Sequence, residues 1–209
     1  GNGGSTYVIE AGALDGNIYA WAEDGSRSVL NAKAEVISIV DIGDSDGDGR
    51  NEICIGTGAG GPPDRNCVKL VDVDNTGLLV ELEKLQLEGA VTHLANAGDL
   101  NGDGKDDIFA GCDTGDVHAI LVDASAPDLT NLWGQNLYNN AIEELFAYDV
   151  QGDSLKDALC LDSANLWALN STDGSLLWSK SDFSGGQALF SMDIGELDIS
   201  AGWEACVGD

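Results

Sequence analysis

Short runs of alternating apolar and polar residues recur along the chain, separated by turns rich in glycine and aspartate. Three of these runs, 36–42, 91–97 and 142–150, each lead into an acidic loop and then into further runs of the same kind. Alternation with a period of two residues is typical of half-buried β-strands. No segment has a long, strong helical period, and the nearest candidate, 77–88, also alternates like a strand. The pattern therefore predicts an all-β protein.

The acidic loops repeat at a regular interval. Their first residues, Asp44, Asp99 and Asp149, are 55 and 50 residues apart. Self-similarity at such a period indicates stacked supersecondary units, and four short strands per unit are typical of propeller blades. We predict a β-propeller of four-stranded antiparallel blades with partial blades at both ends. The predicted units are a partial blade at 1–33, blades at 34–88, 89–138 and 139–182, and a partial blade at 183–209.

The two terminal units match only parts of the repeat. Residues 5–30 resemble the later strands of a unit, and residues 188–209 resemble a first strand, a degenerate loop and a second strand. Either these partial units complement each other and close a small ring, or the chain is a segment of a longer propeller. We favour the segment, because propellers with more than four blades are commoner.

The charge balance narrows the classes of partner. The 209 residues include 37 acidic and 9 basic side chains, for a net charge of -28, and 43% are hydrophobic. This apolar fraction supports a sizeable core, while the negative surface repels nucleic acid and anionic lipid and favours bound cations. No stretch approaches the roughly 18–20 apolar residues of a membrane span. No CxxC pair gives a zinc signature, and buried free thiols are the favoured interpretation for three cysteines in strand-like runs: Cys54, Cys160 and Cys206.

The acidic loops carry the candidate chemistry. We number each loop from position 1 to position 9, as loop 1 (44–52), loop 2 (99–107) and loop 3 (149–157). Oxygen-bearing side chains at positions 1, 3, 5 and 9 suit Ca²⁺, to which the main-chain carbonyl at position 7 would add a ligand. Glycine at position 6 of loops 1 and 2 permits a sharp turn. The predicted calcium ligands are Asp44, Asp46, Asp48, Arg50 and Glu52 in loop 1; Asp99, Asn101, Asp103, Lys105 and Asp107 in loop 2; and Asp149, Gln151, Asp153, Leu155 and Asp157 in loop 3.

Three alternatives bear on this assignment. An EF-hand needs a glutamate at position 12 and a following helix, whereas a strand-like run follows here and position 12 is Ile55, Ala110 or Cys160. Loop 3 has Gln151 at position 3 and Ser154 at position 6, so we expect weaker binding or none there. The fourth copy, 193–204, has lost the spacing and is expected to hold no metal. Asx-type turns without metal also fit the spacing, although packing three or four carboxylates together without a cation is costly.

Two family resemblances rest on these motifs. Residues 98–111, GDLNGDGKDDIFAG, resemble nearly letter for letter the calcium loop of FG-GAP repeats, which form the propeller of integrin α-chains and of many surface proteins. The resemblance is strong over 34–138 and weak over 139–182, and the Phe-Gly and Gly-Ala-Pro signature is not clear. Residues 165–178, NLWALNSTDGSLLW, resemble the repeat of quinoprotein-like propellers, with a weaker copy at 15–30. That second family implies that Trp178, with Trp133 as its counterpart, docks one blade against the next.

Nothing in the sequence marks a catalytic site. The two histidines, His93 and His118, lie in alternating strands outside any nucleophile or metal motif, and no GxSxG elbow occurs. We therefore predict a non-enzymatic calcium-binding propeller that acts as an extracellular or cell-surface adhesion or scaffold module. A scaffold segment of a quinoprotein-like enzyme, and a structural subunit completed by neighbouring chains through strand addition, stay open as alternatives.

The expected partners follow from the same resemblances and from the charge. We expect a protein or glycan partner of unknown identity, no nucleic acid and no membrane insertion of this chain. Self-association or further blades of the same polypeptide would cover the partial blades. The sequence Asn170–Thr172 fits the N-glycosylation pattern and falls at a predicted turn.

Overall fold

The computed structural model describes residues 7–12, 15–22, 24–61, 63–138, 140–181, 191–195 and 204–208. Within these ranges the chain forms seventeen β-strands. No helix in them has the length and apolar character needed to cross a bilayer. The strands are β1 (Tyr7–Gly12), β2 (Asn17–Ala22), β3 (Arg27–Asn31), β4 (Ala34–Asp41), β5 (Ile53–Gly60), β6 (Cys67–Val73), β7 (Leu79–Gln86), β8 (Val91–Gly98), β9 (Asp107–Cys112), β10 (Asp116–Asp123), β11 (Asp128–Asn136), β12 (Ile142–Tyr148), β13 (Asp157–Asp162), β14 (Leu166–Leu169), β15 (Leu176–Lys180), β16 (Ser191–Gly195) and β17 (Glu204–Gly208).

The strands form a series of antiparallel meanders in chain order. Three sheets have four strands each, β4–β7, β8–β11 and β12–β15, and they follow a three-stranded sheet β1–β3 and precede a two-stranded sheet β16–β17. The first strands of successive sheets are neighbours in space, because β8 contacts β4 on one side and β12 on the other. This arrangement confirms the predicted all-β fold with four-stranded antiparallel blades.

The core lies between the blades. Cys54 and Leu70 of the β4–β7 blade share a buried cluster with Ile108 and Ile120 of the β8–β11 blade. Strands β9 and β13 are buried along their whole length. A strand in the middle of a blade is covered on both faces by neighbouring blades, so apart from aspartates at the strand ends its residues are apolar or small on both sides.

The cysteines belong to this core. Burial raises the pKa of the Cys112 thiol to about 12. The side chain of Cys206 lies outside the described residues. The cysteines with described side chains are free and buried, which confirms the predicted state of Cys54 and Cys160: Cys54, Cys67, Cys112 and Cys160.

Trp133 in β11 joins two blades, as the resemblance to quinoprotein-like repeats implied. Its indole N–H donates to the carbonyl of Ser171 in the next blade at 2.6 Å. The indole ring lies so close to Gly174 that a Cβ at this glycine would come within 2.7 Å of it. Trp178 packs against a buried cluster that contains Leu166 and Ala168 of its own blade and Met192 of the following sheet. Trp133 therefore lies at a contact between successive blades.

A buried ion cluster fixes the connection between β5 and β6, at the end of the blade opposite the acidic loops. The ammonium of Lys69 is fully buried and donates to the carbonyl of Ala32 (2.8 Å), to Asp64 (2.9 Å) and to Glu81 (2.9 Å). Lys84 also contacts Asp64 at 2.8 Å. Hydrogen bonds from Lys84 and Lys69 lower the pKa of Asp64 to about 2. Every charge in this cluster has a partner, which is the condition for burying it.

Candidate metal centre

The three acidic loops share one hydrogen-bond scaffold. In loop 1 the carboxylate at position 1, Asp44, accepts the N–H groups of Gly47 (2.7 Å) and Gly49 (2.9 Å). Asp99 and Asp149 accept the equivalent pairs of N–H groups at 2.6 Å and 2.8 Å in each loop. These bonds, foremost those from position 6, lower the pKa of Asp99 and of Asp149, because N–H donors favour the charged form. Each loop thus folds around the carboxylate at position 1.

The backbone at position 6 adopts a left-handed conformation in all three loops. The φ angles are 90° at Gly49, 86° at Gly104 and 76° at Ser154. A Cβ at either glycine would meet no atom within 4 Å, so the dihedral angle rather than space selects glycine. The predicted need for glycine in loops 1 and 2 is confirmed, and Ser154 adopts the same conformation at a cost of about 1 kcal/mol.

Loop 1 brings four carboxylates together. Among the described residues, one group of at least three acidic, histidine or cysteine side chains has its ligand atoms within 4.8 Å of one another, and its members are Asp44, Asp46, Asp48 and Glu52. The three aspartates are exposed, while Glu52 is buried. Arg50 forms an ion pair with Asp48 at the outer side of the group. The ligand set contains oxygen alone, which suits Ca²⁺ or Mg²⁺ better than Zn²⁺.

Glu52 supplies the sharpest indication of a cation. Its side chain is 0% exposed. Its Oε2 accepts the N–H of Ser45 at 2.7 Å, whereas its Oε1 is buried without a hydrogen-bond partner. Burial, together with the charges of Asp46 and Asp72, raises the pKa of Glu52 to about 7. A buried, unpaired carboxylate oxygen beside three more carboxylates is unfavourable unless a cation binds there. The residues of loop 1 therefore fit Ca²⁺, with the carbonyl of Arg50 as the further predicted ligand.

The residues at the equivalent positions of loop 2 form different hydrogen bonds. The carboxylate of Asp107 accepts the N–H of Leu100 on Oδ2 (2.8 Å) and the N–H of Val122 on Oδ1 (2.9 Å). The amide of Asn101 donates to Asp103 at 3.0 Å. Burial raises the pKa of Asp107 to about 6. Protein donors therefore satisfy both oxygens of the position-9 carboxylate in this loop.

Loop 3 follows loop 2. The carboxylate of Asp157 accepts the N–H of Val150 and the N–H of Ser171, both at 3.1 Å. The amide nitrogen of Gln151 also points at Asp157, at 3.3 Å, so this predicted ligand presents a donor to the loop. Asp153 accepts the N–H of its position-7 neighbour Leu155 at 3.0 Å. The fourth copy, 193–204, falls largely outside the described residues.

Two of the position-7 side chains have a role that the sequence interpretation missed. Arg50 donates its Nε to the carbonyl of Val73 at 2.9 Å. Lys105 donates to Ser125 at 2.7 Å and pairs with Asp123. Both contacts tie an acidic loop to the turn between the third and fourth strands of the same blade. A basic residue at position 7 of an acidic loop is the sequence signal for this tie.

Position 2 of each loop connects it to the next blade. The hydroxyl of Ser45 accepts the N–H of Ala124, which belongs to the β8–β11 blade, at 3.2 Å. Leu100 packs in the core cluster shared with the β12–β15 blade. Val150 packs in the cluster that contains Met192. The conformation of each acidic loop is thereby linked to the contact between two blades.

Asp72 is a further acidic residue beside loop 1 that the sequence interpretation did not identify. It lies in β6, and its carboxylate accepts the N–H of Val73. Burial raises its pKa, and the nearby charges of Asp48 and Asp46 add to this shift. A fifth carboxylate therefore adjoins the loop 1 group.

The histidines stay apart from this chemistry. The ring nitrogens Nδ1 of His93 and Nε2 of His118 are buried without a hydrogen-bond partner. Burial lowers the pKa of His118, whose Nδ1 lies 3.3 Å from Oδ1 of Asn131. Neither histidine belongs to a metal-ligand group in the part of the chain that the structure describes.

Comparison with known proteins identifies the fold. No protein-family model and no curated protein matches the chain. Sqt1 from Saccharomyces cerevisiae superposes with a TM-score of 0.68 at 12% identity, over 95% of this chain and 51% of Sqt1. BBS1N, solved in complex with ARL6DN, gives 0.60 at 14% identity, over 91% of this chain and 54% of that chain. A chain of the mitotic checkpoint complex gives 0.56 at 17% identity, over 88% and 51%. These are propeller-type folds, and the chain spans about half the length of each.

Proposed function

We propose that the chain is a non-enzymatic, calcium-binding β-propeller of the FG-GAP type, and that it acts as an adhesion or scaffold module outside the cell or at its surface. The observation that carries the calcium assignment is Oε1 of Glu52, which is buried and unpaired, in a side chain that forms one group with the carboxylates of Asp44, Asp46 and Asp48. A hard divalent cation is the ligand that such an all-oxygen group prefers.

The bound cation has a structural role in this proposal. Loop 1 contacts its own blade through Arg50 and the next blade through the bond between Ser45 and Ala124. A cation that binds the folded loop and has no site in the unfolded chain stabilises the fold by mass action. Calcium would therefore stabilise the contact between the β4–β7 and β8–β11 blades.

Another protein is the partner class that the comparisons support. Two of the solved neighbours come from complexes, BBS1N with ARL6DN and the mitotic checkpoint complex. A rigid propeller presents loops at both ends of its blades for such contacts. This chain spans about half the length of each of those two solved chains.

An assembly completed by other polypeptide is a second candidate, and one observation favours it. Ile37 and Ile39 in β4, the first strand of its blade, are 41% and 36% exposed. Apolar side chains at such a position are normally covered. Further blades of the same polypeptide, or a neighbouring chain, would cover them. Sedimentation of the isolated chain distinguishes these two kinds of cover. A second copy of the chain as the neighbour would give a dimer mass, whereas cover by further blades of the same polypeptide would leave the isolated chain a monomer.

The calcium proposal is tested by melting the purified chain with calcium and with chelator. At a calcium concentration 100 times the Kd, binding contributes about 2.7 kcal/mol, which for a domain of this size corresponds to about 5–10 °C in Tm. Calorimetry should show that difference, and elemental analysis should find calcium in the dialysed protein. An unchanged Tm with no calcium in the protein would contradict the proposal. An ultraviolet-visible spectrum with absorption beyond that of protein would instead favour the quinoprotein-like enzyme.

A further inference from the structure

At one position near the end of the third strand, the backbone N–H donates to a different acceptor in the blade of loop 1 than in the blades of loops 2 and 3. The pairing of the second and third strands makes Val73, Val122 and Ser171 equivalent positions in the three four-stranded blades. In loops 2 and 3 the N–H at this position donates to the position-9 aspartate, Asp107 or Asp157. The third strand therefore fixes the position-9 carboxylate in these loops.

In loop 1 the same N–H donates to Asp72. The position-9 residue is Glu52, whose Oε2 retains the bond to position 2 and whose Oε1 has no partner. The strand pairing places Leu121 and Asn170 where the β4–β7 blade has Asp72. The acidic residue is therefore specific to the blade whose position-9 oxygen is unpaired.

We propose that Asp72 is a positioning residue that makes loop 1 the tight calcium site of this chain, by accepting the Val73 N–H and so leaving Oε1 of Glu52 free for the cation. Loops 2 and 3 are then turns closed by hydrogen bonds, with much lower calcium affinity. This inference rests on the calcium-binding function proposed above.

The contacts in loops 2 and 3 explain their lower affinity. Both oxygens of Asp107 and of Asp157 already accept backbone N–H groups. The side-chain amides of Asn101 and Gln151 direct N–H donors toward carboxylates of their loops. A cation in loop 2 or loop 3 would have to reverse these amides, whereas in loop 1 it meets four carboxylates, one of which has an oxygen without a protein donor.

Calorimetric titration of calcium into the chelator-treated chain tests the assignment. We expect one tight equivalent per chain for the wild type. Asp72→Ala removes the alternative acceptor, so Glu52 can turn to the Val73 N–H, and the affinity should fall by about 10–100-fold, as for other outer-shell partners of metal ligands. Asp72→Asn retains an acceptor for that N–H without the charge, and its affinity should stay closer to that of the wild type than to that of Asp72→Ala. Asp107→Asn should leave the tight equivalent unchanged.

Circular dichroism melts of the calcium-free variants establish that each one folds. If Asp72→Ala does not fold, Glu52→Asp replaces it, because a shortened side chain reproduces position 9 of loops 2 and 3 and should also lose the tight equivalent. Two tight equivalents in the wild type, or equal affinities for Asp72→Ala and Asp72→Asn, would overturn the inference and leave the calcium function standing. A wild-type chain that takes up no calcium would overturn the proposed function itself.

Discussion

Loops 1 and 2 have almost the same spacing of oxygen-bearing residues, and they differ in what those oxygens contact. Asp44 and Asp99 fold their loops by the same pair of N–H bonds. Asp107 then closes loop 2 with two backbone donors, while Glu52 closes loop 1 with one and keeps an unpaired oxygen. Loop 1 therefore has a position-9 oxygen that our proposal assigns to an ion, whereas both position-9 oxygens of loop 2 have protein donors. The shared motif fixes the turn, and in our proposal the residues around it set the affinity for metal.

The two loops should also differ in the source of their stability. The carboxylates of loop 1 repel one another in the absence of a cation, so that loop is the less stable one in calcium-free protein. Loop 2 depends on neutral donors of the chain itself, so its stability should not depend on calcium. Measuring the stability of variants with calcium and with chelator therefore separates the calcium-dependent part of the stability from the calcium-independent part.

The largest effect is expected at a blade contact that involves no cation. Trp133→Ala removes the indole that bonds to Ser171 and packs on Gly174, and it should destabilise the chain by about 3–5 kcal/mol. Urea unfolding should give the same loss with calcium and with chelator. Leu132→Ala, a 40% exposed position in the same strand, is the matched control and should change stability by less than about 0.5 kcal/mol. If Trp133→Ala lost stability in calcium but not in chelator, the contact between these blades would depend on the cation bound at loop 1.

The second effect concerns Glu52 and should have opposite signs with and without calcium. Glu52→Gln keeps the size of the side chain and an acceptor for Ser45, but it removes a buried charge next to other carboxylates. We expect the Tm of the calcium-free protein to rise by about 2–4 °C, which corresponds to about 1 kcal/mol. The Tm gain on adding calcium should disappear. A variant that still gains as much as the wild type would show that the cation is bound elsewhere.

The third effect is the counterpart in loop 2. Asp107→Asn places an NH₂ group opposite a backbone N–H in a fully buried site, and the unsatisfied donor should cost about 1–3 kcal/mol. This loss should be the same in calcium and in chelator, as measured by differential scanning calorimetry. If Asp107→Asn instead behaved like Glu52→Gln, with a higher calcium-free Tm and a lost calcium response, loop 2 would be a metal site of the same kind as loop 1.

Much of this arrangement could be predicted from the sequence, because it depends on local periodicity. Alternation and the regular spacing of the acidic loops predicted the blades, and the Asp-Gly pattern predicted the left-handed turn at Gly49 and Gly104. The bond states of Glu52 and Asp107 depend instead on which N–H of the third strand faces them. That depends on strand register and on a residue about twenty positions away, Asp72, that no pattern in the loop specifies.

The buried ion cluster was unpredictable for the same reason. Lys69 stands in an apolar strand, where a lysine is unexpected, and its partners Ala32, Asp64 and Glu81 lie in three separate segments. The meander of the β4–β7 blade brings Asp64 and Glu81 to Lys69, and the carbonyl of Ala32 comes from the connection between β3 and β4. By contrast, the docking role of Trp133 could be predicted, because the resemblance to quinoprotein-like repeats implies it as the counterpart of Trp178.

The smallest effect tests whether the three loops share one turn. Ser154 has a φ of 76° where loops 1 and 2 have glycine, and loop 3 has a much lower calcium affinity than loop 1 in our proposal. Ser154→Gly should therefore relieve the strain of an L-residue in the left-handed region, and part of that gain is offset by the greater freedom of glycine in the unfolded chain. The net stabilisation should be about 0.5–1 kcal/mol, independent of calcium. The reciprocal change, Gly104→Ser, should destabilise by a similar amount, since a Cβ there meets no atom and only the dihedral angle is affected. Urea titrations of both variants in chelator would measure the two shifts. If Gly104→Ser lost stability in calcium much more than in chelator, the turn of loop 2 would be supporting a bound ion, and its likeness to loop 3 would fail.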